Sequence, residues 1–276
     1  MKCDILSRAF WNYFLASVGT ISSMVTLISF VFEWKNPGCL CVVLFVAGVI
    51  LISGGFACWQ TWRKTSLGLK ISNTLSINIF EGDLFDFVGN DNFVIIPVNE
   101  YFDTIVNETI INKGTIHGRF IQNYYRDNHS QLHEEIEAFL AKNNIHGEKV
   151  ARENSEGYKN KYPLGTCAII NKADTNFVLL AMTHFDKDDH AYVELSEFGR
   201  SISLMCRTLA DKVEDKPIYM PLMGMGMSRL NQTGQFILKY TLDTIIGIKG
   251  LAIQNGINIV VYPPVAKTIN LNEIKY

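Results

Sequence analysis

The sequence predicts an α/β protein in which a two-helix transmembrane hairpin precedes a layered domain with a mostly parallel central sheet. Three observations carry this. Two uncharged, strongly apolar stretches, Ala9 to Phe32 and Pro37 to Trp62, open the chain. Strand-like and helix-like segments then alternate along the remainder, the pattern of a sheet covered by helices. One strand segment, Phe93 to Val98, is a solid apolar run, as a strand buried on both faces requires.

Each apolar stretch exceeds the roughly 20 residues a helix needs to cross a hydrocarbon core of about 30 Å. The connecting Glu33-Trp34-Lys35-Asn36 is too short to hold a domain, so the two helices run antiparallel. Lys2 and Arg8 precede the first span and Arg63, Lys64 and Lys70 follow the second, whereas the connection offers Lys35 against Glu33. The positive-inside rule then predicts a multi-pass membrane protein with both termini in the cytosol. Trp11, Trp34, Trp59 and Trp62 stand at the span ends, where amphipathic rings favour the interface. A signal peptide has an apolar region of about 7 to 15 residues, shorter than this first stretch, and does not lead into a second span. The spans carry no ionisable side chain, so nothing marks a proton relay. Their small residues, Gly19, Ser23, Gly48, Ser53, Gly54 and Gly55, let helix backbones approach closely. They suit a plain anchor and also an association of hairpins between subunits.

A mean hydropathy of +0.11 reflects these spans rather than the remainder. A formal net charge of -2 gives no basic field of the kind that dominates nucleic-acid affinity, so no nucleic-acid partner is expected. The cysteines, Cys3, Cys39, Cys41, Cys58, Cys167 and Cys206, are scattered and show neither a disulfide framework nor a zinc spacing. No metal site is expected. The chain divides into a hairpin over residues 1–64, a linker over 65–73 and one domain over 74–276.

In that domain Leu75 to Phe80 alternates apolar and polar residues, as a half-buried edge strand does. Phe93 to Val98 follows as the buried strand. Ile116 to Lys142 is amphipathic, with a break near Asn128. Further strands fall at Cys167 to Asn171, Phe177 to Met182, Pro217 to Pro221 and Ile257 to Tyr262. Leu195 to Val213 forms another helix, and a last one runs from Thr233 to Gln254, stopping before Asn255-Gly256.

Ligands of such sheets bind beyond the carboxyl ends of the strands, and three of those ends are unusual. The first strand closes in Glu81-Gly82-Asp83-Leu84, which presents a carboxylate followed by a backbone amide. The apolar strand ends in Pro97-Val98-Asn99, and the next helix is entered through Asn112-Lys113-Gly114-Thr115-Ile116. A late strand ends in Pro221-Leu222-Met223-Gly224-Met225-Gly226-Met227-Ser228, whose glycines allow close backbone approach to an anion. Two glycine-containing loops near helix N-termini make a candidate diphosphate cradle.

The GDL turn, the strand-terminal VN, the KGTIHG segment and the PLMGMG loop, in that order, resemble the macro domain, a binder of ADP-ribose. The resemblance covers most of Leu75 to Tyr262 and implies a three-layer sandwich with a mixed, mostly parallel sheet. It implies that Asp83 accepts from the adenine amine, with the Leu84 amide also facing the base, and that Asn99 lies at the distal ribose. The loop of Lys113, Gly114, Thr115 and Ile116 and the loop of Gly224, Met225, Gly226, Met227 and Ser228 would clasp the diphosphate. No cofactor is implied beyond this ligand.

Hydrolytic macro domains carry a second asparagine three residues after the first and a run of glycines in the first phosphate loop. Here those places hold Phe102 and Lys113-Gly114-Thr115, which points to a sensor rather than an enzyme. His129, His133 and Glu134 read as a solvated helix face, without the order of a zinc motif. His184 suits either a structural hydrogen bond or the ligand. Met223, Met225 and Met227 suit core filling or a pliable wall. Glu100 and Asp103 are candidates for meeting an amino group on the ligand.

A membrane hairpin fused to a macro domain resembles the effectors of Thoeris antiphage defence that have transmembrane helices. That resemblance implies a messenger made from NAD by a TIR-domain partner, expected to be ADP-ribose conjugated to histidine. It further implies ligand-induced homo-oligomerisation and membrane disruption. The alternatives are a membrane-tethered ADP-ribosyl hydrolase and a passive ADP-ribose reader.

Overall fold

The computed structural model describes residues 8–31, 39–60, 64–152, 156–226 and 230–276. They divide into two units, residues 1–65 with 270–275 and residues 66–269 with 276. Lys2, Cys3, the connection Glu33 to Asn36 with its Trp34, and Trp62 and Arg63 lie outside the described residues, as do Met227 and Ser228.

In the first unit, α1 (Arg8–Val31) and α2 (Cys39–Gln60) pack on each other. Both are long and apolar enough to cross a membrane. Phe10, Ser53 and Ala57 are buried, and the Ser17 hydroxyl of α1 donates to that of Ser53 in α2 at 3.2 Å. Leu27, Leu51 and Trp59 are exposed instead. Such a surface is costly in water and natural in hydrocarbon.

The second unit is a helix–sheet–helix sandwich. Its strands and helices run β1 (Ser66–Lys70), β2 (Leu75–Glu81), β3 (Asn92–Asn99), α3 (Ile116–Tyr124), α4 (His129–Lys142), β4 (Glu148–Lys149), β5 (Asn160–Lys161), β6 (Cys167–Lys172), β7 (Thr175–Phe185), β8 (Ala191–Tyr192), α5 (Leu195–Ala210), β9 (Ile218–Pro221), α6 (Gly234–Ile246), β10 (Ile253–Val261) and the short α7 (Pro263–Ala266). The main sheet has the order β1-β2-β10-β9-β3-β7-β6, with β8 also paired to β7. Strands β2, β10, β9, β3 and β7 are mutually parallel, while β1 and β6 are antiparallel edges.

The apolar run forms β3 at the sheet's centre, where Val94, Ile95 and Ile96 are fully buried. Even-numbered β3 residues meet Phe120 and Ile121 of α3 and Leu132, Ile136 and Leu140 of α4 in one apolar cluster. Helices α5 and α6 pack together and bury Phe198, Ile202, Leu209, Ile237 and Leu242 in the other helical layer. Each such side chain contributes about 1.5–3 kcal/mol when fully buried. Asn128 breaks the long amphipathic segment as expected, its side chain capping α4 through the Gln131 amide.

Three expectations need correction. The stretch read as a linker over 65–73 contains β1, which pairs antiparallel with β2 from Ser66 opposite Phe80 to Lys70 opposite Ser76. Its exposed and half-buried positions alternate, so Ser-Leu-Gly-Leu-Lys gives little apolar signal. Because β1 covers it, β2 is an interior strand and not an edge. The last long helix starts where expected, with Thr233 capping the Phe236 amide, but it ends at Ile246, with Gly247 as its C-cap. Asn255-Gly256 lies instead within β10, at a bulge where the pairing with β2 shifts register. Gly256 has φ +73°, and a Cβ there would stand 2.4 Å from the Ser76 hydroxyl.

Candidate functional site

The carboxyl ends of the five parallel strands meet at one pole, and a cleft of about 1010 Å³ opens there. That is the upper size of small-molecule sites. Gly82, Asp83 and Leu84 line it after β2, with Val260 and Tyr262 of the neighbouring β10 end. Asn99, Gly114, Thr115, Ile116 and His117 line it after β3, and Met223, Gly224, Met225 and Gly226 after β9. The end of β7 adds Met182, Thr183 and Phe185 to the wall, and the turn after it adds Asp189 and His190. Lys113 is not part of this lining. Its side chain stands in solvent, 3.6 Å from Glu108, drawn outward by that carboxylate.

Asp83 caps the 3-10 turn Leu84–Phe87 by accepting from the Phe85 amide at 3.0 Å. Its other oxygen accepts from Arg119 Nη2 at 2.7 Å, and the same guanidinium lies 4.6 Å from the centre of the Phe85 ring. Partial burial works against the charge of Asp83, yet Arg119 and the Phe85 amide outweigh it and hold the carboxyl below the usual carboxylate range.

The first glycine-containing loop is folded on itself. Asn112 Oδ1 accepts from the Gly114 amide at 2.8 Å, the Asn112 carbonyl accepts from the Thr115 amide, and Thr115 Oγ1 caps the Gly118 amide at 3.0 Å. The Gly114 and Thr115 amides are therefore committed within the loop. Ile116 and His117 supply the first helical amides of α3, and both residues line the cleft, where a helix N-terminus favours an anion. A Cβ at Gly118 would stand 2.3 Å from the Asn112 carbonyl oxygen. Gly118→Ala is thus expected to displace the loop, costing about 1–3 kcal/mol of stability. Thermal unfolding checks this, with unchanged melting as the contrary result.

Asn99 is buried and spends its side chain on the β3 exit turn: Oδ1 accepts from the Tyr101 amide at 3.0 Å and Nδ2 donates to Asp103 at 3.0 Å. Phe102, in the place of a second asparagine, is 1% exposed, packs against Tyr162 and has φ +52°. A bulky residue in that left-handed region is strained and is held there by its packing.

Glu100 and Asp103 do not face the cleft. Asp103 is fully buried against Arg152, whose Nη1 lies 3.0 and 2.8 Å from its two oxygens, while Arg152 Nη2 donates to Asp189 at 2.8 Å. Tyr101 and Phe185 flank the guanidinium at 4.3 and 5.3 Å. Glu100, also fully buried, meets Lys161 at 3.2 Å and His184 Nδ1 at 2.5 Å. His184 therefore has the structural role, its Nε2 lying 3.1 Å from Glu197 at the start of α5. His129 and His133 are half-buried rather than solvated, and the His133 ring stacks on Tyr158 at 3.7 Å.

Burial opposes protonation of His184, but Glu100 and Glu197 outweigh it and raise its pKa above 6.5. A raised histidine stabilises the fold fully below its unfolded pKa of about 6.5 and loses that contribution as pH rises through its folded value. The melting difference between the wild type and His184→Gln is therefore expected to shrink steadily from pH 6 upward. A difference constant with pH would contradict it.

Sequence reading missed Arg119, His117 and the Asp189-His190 wall. Arg119 follows Ile116 by three residues, a spacing that already places both on one helix face. His117 is buried, which pushes its imidazole down to about 3 against a hydrogen bond to the Asp103 backbone, so it is neutral.

A mixed sheet between two helical layers, with a carboxylate and helix-terminal amides along a cleft at the strand ends, defines a macro-type nucleotide-binding domain. The chain belongs to the ThsA family of Thoeris defence proteins, since the family model described as Thoeris protein ThsA, Macro domain, matches residues 77–262. It is similar to the Thoeris protein ThsA of Bacillus amyloliquefaciens, 27% identical over 227 residues, 82% of this chain and 73% of that protein. Among solved structures it is similar to a glycine-to-valine mutant of the Oceanobacillus iheyensis macrodomain with ADPR, at 12% identity and a TM-score of 0.49, covering 74% of this chain and 94% of that one. The same macrodomain with ADP gives 13%, 0.47, 74% and 92%.

Proposed function

We propose that this protein is a membrane-anchored antiphage effector whose macro domain senses an ADP-ribose derivative, expected to be the histidine conjugate made by a TIR-domain partner. The observation that carries the reading is the spacing of chemistry along one cleft. Asp83, a charged acceptor at the β2 end, suits the amine of adenine, and exposed Tyr262 beside it offers a ring for stacking. The helix N-terminal amides of Ile116 and His117 and the loop Gly224 to Gly226, which line the same cleft, suit a diphosphate. Leu84, Gly114, Thr115 and Met225 shape the wall and Asn99 orders the turn beneath the distal ribose. Lys113 is outside the proposed contact set.

The domain acts as a sensor and not a hydrolase on this reading, because buried Phe102 leaves no amide side chain where hydrolytic relatives have one. Ligand closes the two loops, favours an assembled state and brings hairpins α1–α2 of several subunits together in the cytoplasmic membrane, with the domain in the cytosol. A ligand shifts that equilibrium only by its differential affinity for the assembled state.

The test is calorimetric titration of the full chain in detergent micelles with ADP-ribose and with its histidine conjugate, beside a turnover assay on an ADP-ribosylated protein. Tighter binding of the conjugate without turnover supports the sensor. Turnover would establish the tethered hydrolase, and binding without ligand-dependent assembly the passive reader.

A further inference from the structure

The pairing of Asp83 with Arg119 carries a further assignment, one that rests on the proposed ADP-ribose site. Among the described residues, three carboxylates line the cleft, Asp83, Glu108 and Asp189. A diphosphate adds two more negative charges to it. Among the described lining residues Arg119 is the one arginine or lysine; the other basic groups are His117, which is buried and neutral, and His190, which lies 3.4 Å from Asp186. The position of Arg119 is equally particular. It follows Ile116 by three residues on α3, and helical side chains lean toward the N-terminus, so its stem runs toward the amides that suit phosphate. Its guanidinium nevertheless reaches back to the β2 end, where it occupies one Asp83 oxygen at 2.7 Å. The contact is not locked: both side chains are about one-third exposed, at 37% and 34%. A base amine that uses Asp83 therefore meets a carboxylate already engaged.

We propose that Arg119 is a placeholder on Asp83 in the unliganded protein and the counter-charge of the diphosphate in the liganded one. The exocyclic amine of the base takes over the Asp83 oxygen, and the released guanidinium turns along the face of α3 to the phosphates. Its planar fork, freed from Asp83, can donate to phosphate oxygens in pairs. Arg119 thereby ties recognition of the base to recognition of the diphosphate. The site selects a nucleoside diphosphate derivative over a bare nucleoside, because a nucleoside displaces the guanidinium without giving it a new anion.

The experiment is calorimetric titration of full-length wild type, Arg119→Gln and Arg119→Lys in detergent micelles, with ADP-ribose and with adenosine, at low and at moderate salt. Thermal unfolding confirms that each variant is folded. In Arg119→Gln the affinity for ADP-ribose is expected to fall at least tenfold and its salt dependence to flatten. Adenosine affinity is expected to stay level or rise. Arg119→Lys, with the charge but not the fork, is expected to restore the salt dependence and part of the affinity. Unchanged or tighter ADP-ribose binding by Arg119→Gln would make the arginine a simple block on Asp83 and overturn the assignment. Equal losses for both ligands would reduce it to a structural strut. Wild type that binds no ADP-ribose at all would overturn the binding site itself, an outcome distinguishable from a wild type that binds while Arg119→Gln binds equally well.

Discussion

Asp83→Ala is expected to weaken ADP-ribose binding by about 10- to 100-fold, the cost of losing a hydrogen bond to a charged group at about 1.5–3 kcal/mol. The carboxylate has two duties, since it also caps the 3-10 turn through the Phe85 amide. Asp83→Asn keeps an oxygen for that cap while removing the charge, and so separates ligand recognition from local folding. Titration with ADP-ribose and its conjugate reads the affinity, and growth arrest of infected cells reads the consequence. Both are expected to fall together. Arrest that survives after binding has vanished would break the proposed coupling between cleft and hairpin.

The largest loss of stability is expected from Arg152→Ala. The side chain is 5% exposed and holds fully buried Asp103 and nearly buried Asp189. Removing one partner of a buried ionic network costs about 3–5 kcal/mol, because the remaining charge stays in a poorly solvating interior. For a domain of this size that is a fall of roughly 6–20 °C in melting temperature. Thermal unfolding checks it, and a fall below about 3 °C would show that water or rearrangement compensates the carboxylates. Ligand affinity is expected to fall as well, since Asp189 forms part of the cleft wall.

The parts of the fold that were legible in sequence are those whose signal is local. β3 announces itself because both of its faces are buried, and Asn128 because a side chain that caps a helix is a nearby event. β1 was hidden because only alternate positions of a five-residue strand are even half-buried. The end of α6 was misplaced because Asn255-Gly256, which resembles a helix stop, serves a bulge whose neighbour Ser76 lies at the other end of the domain. The cleft followed the same division. Asp83, Asn99 and, of the two glycine loops, Gly114 to Ile116 and Gly224 to Gly226 stand in sequence as strand or loop endings and do line one cavity. That the Gly114 and Thr115 amides are taken by Asn112 was not visible, because backbone partners leave no mark on composition. Glu100 and Asp103 looked available for a ligand, and only the packing of Lys161, His184 and Arg152 around them shows otherwise.

The pairing of β2 with β10 means that the sheet beside the cleft is completed only when nearly all of the domain has been made. β2 follows the apolar helices closely, yet its parallel neighbour, running from Ile253 opposite Leu75 to Val261 opposite Glu81, is translated near the end of the domain. Val260 and Tyr262, which complete the Asp83 end of the cleft, arrive with it. A nascent chain therefore carries both apolar helices long before it has a finished pocket, and during that interval β2 lacks its parallel partner. Message cleavage or stalling upstream of β10 is expected to yield products that carry both apolar helices but no complete cleft.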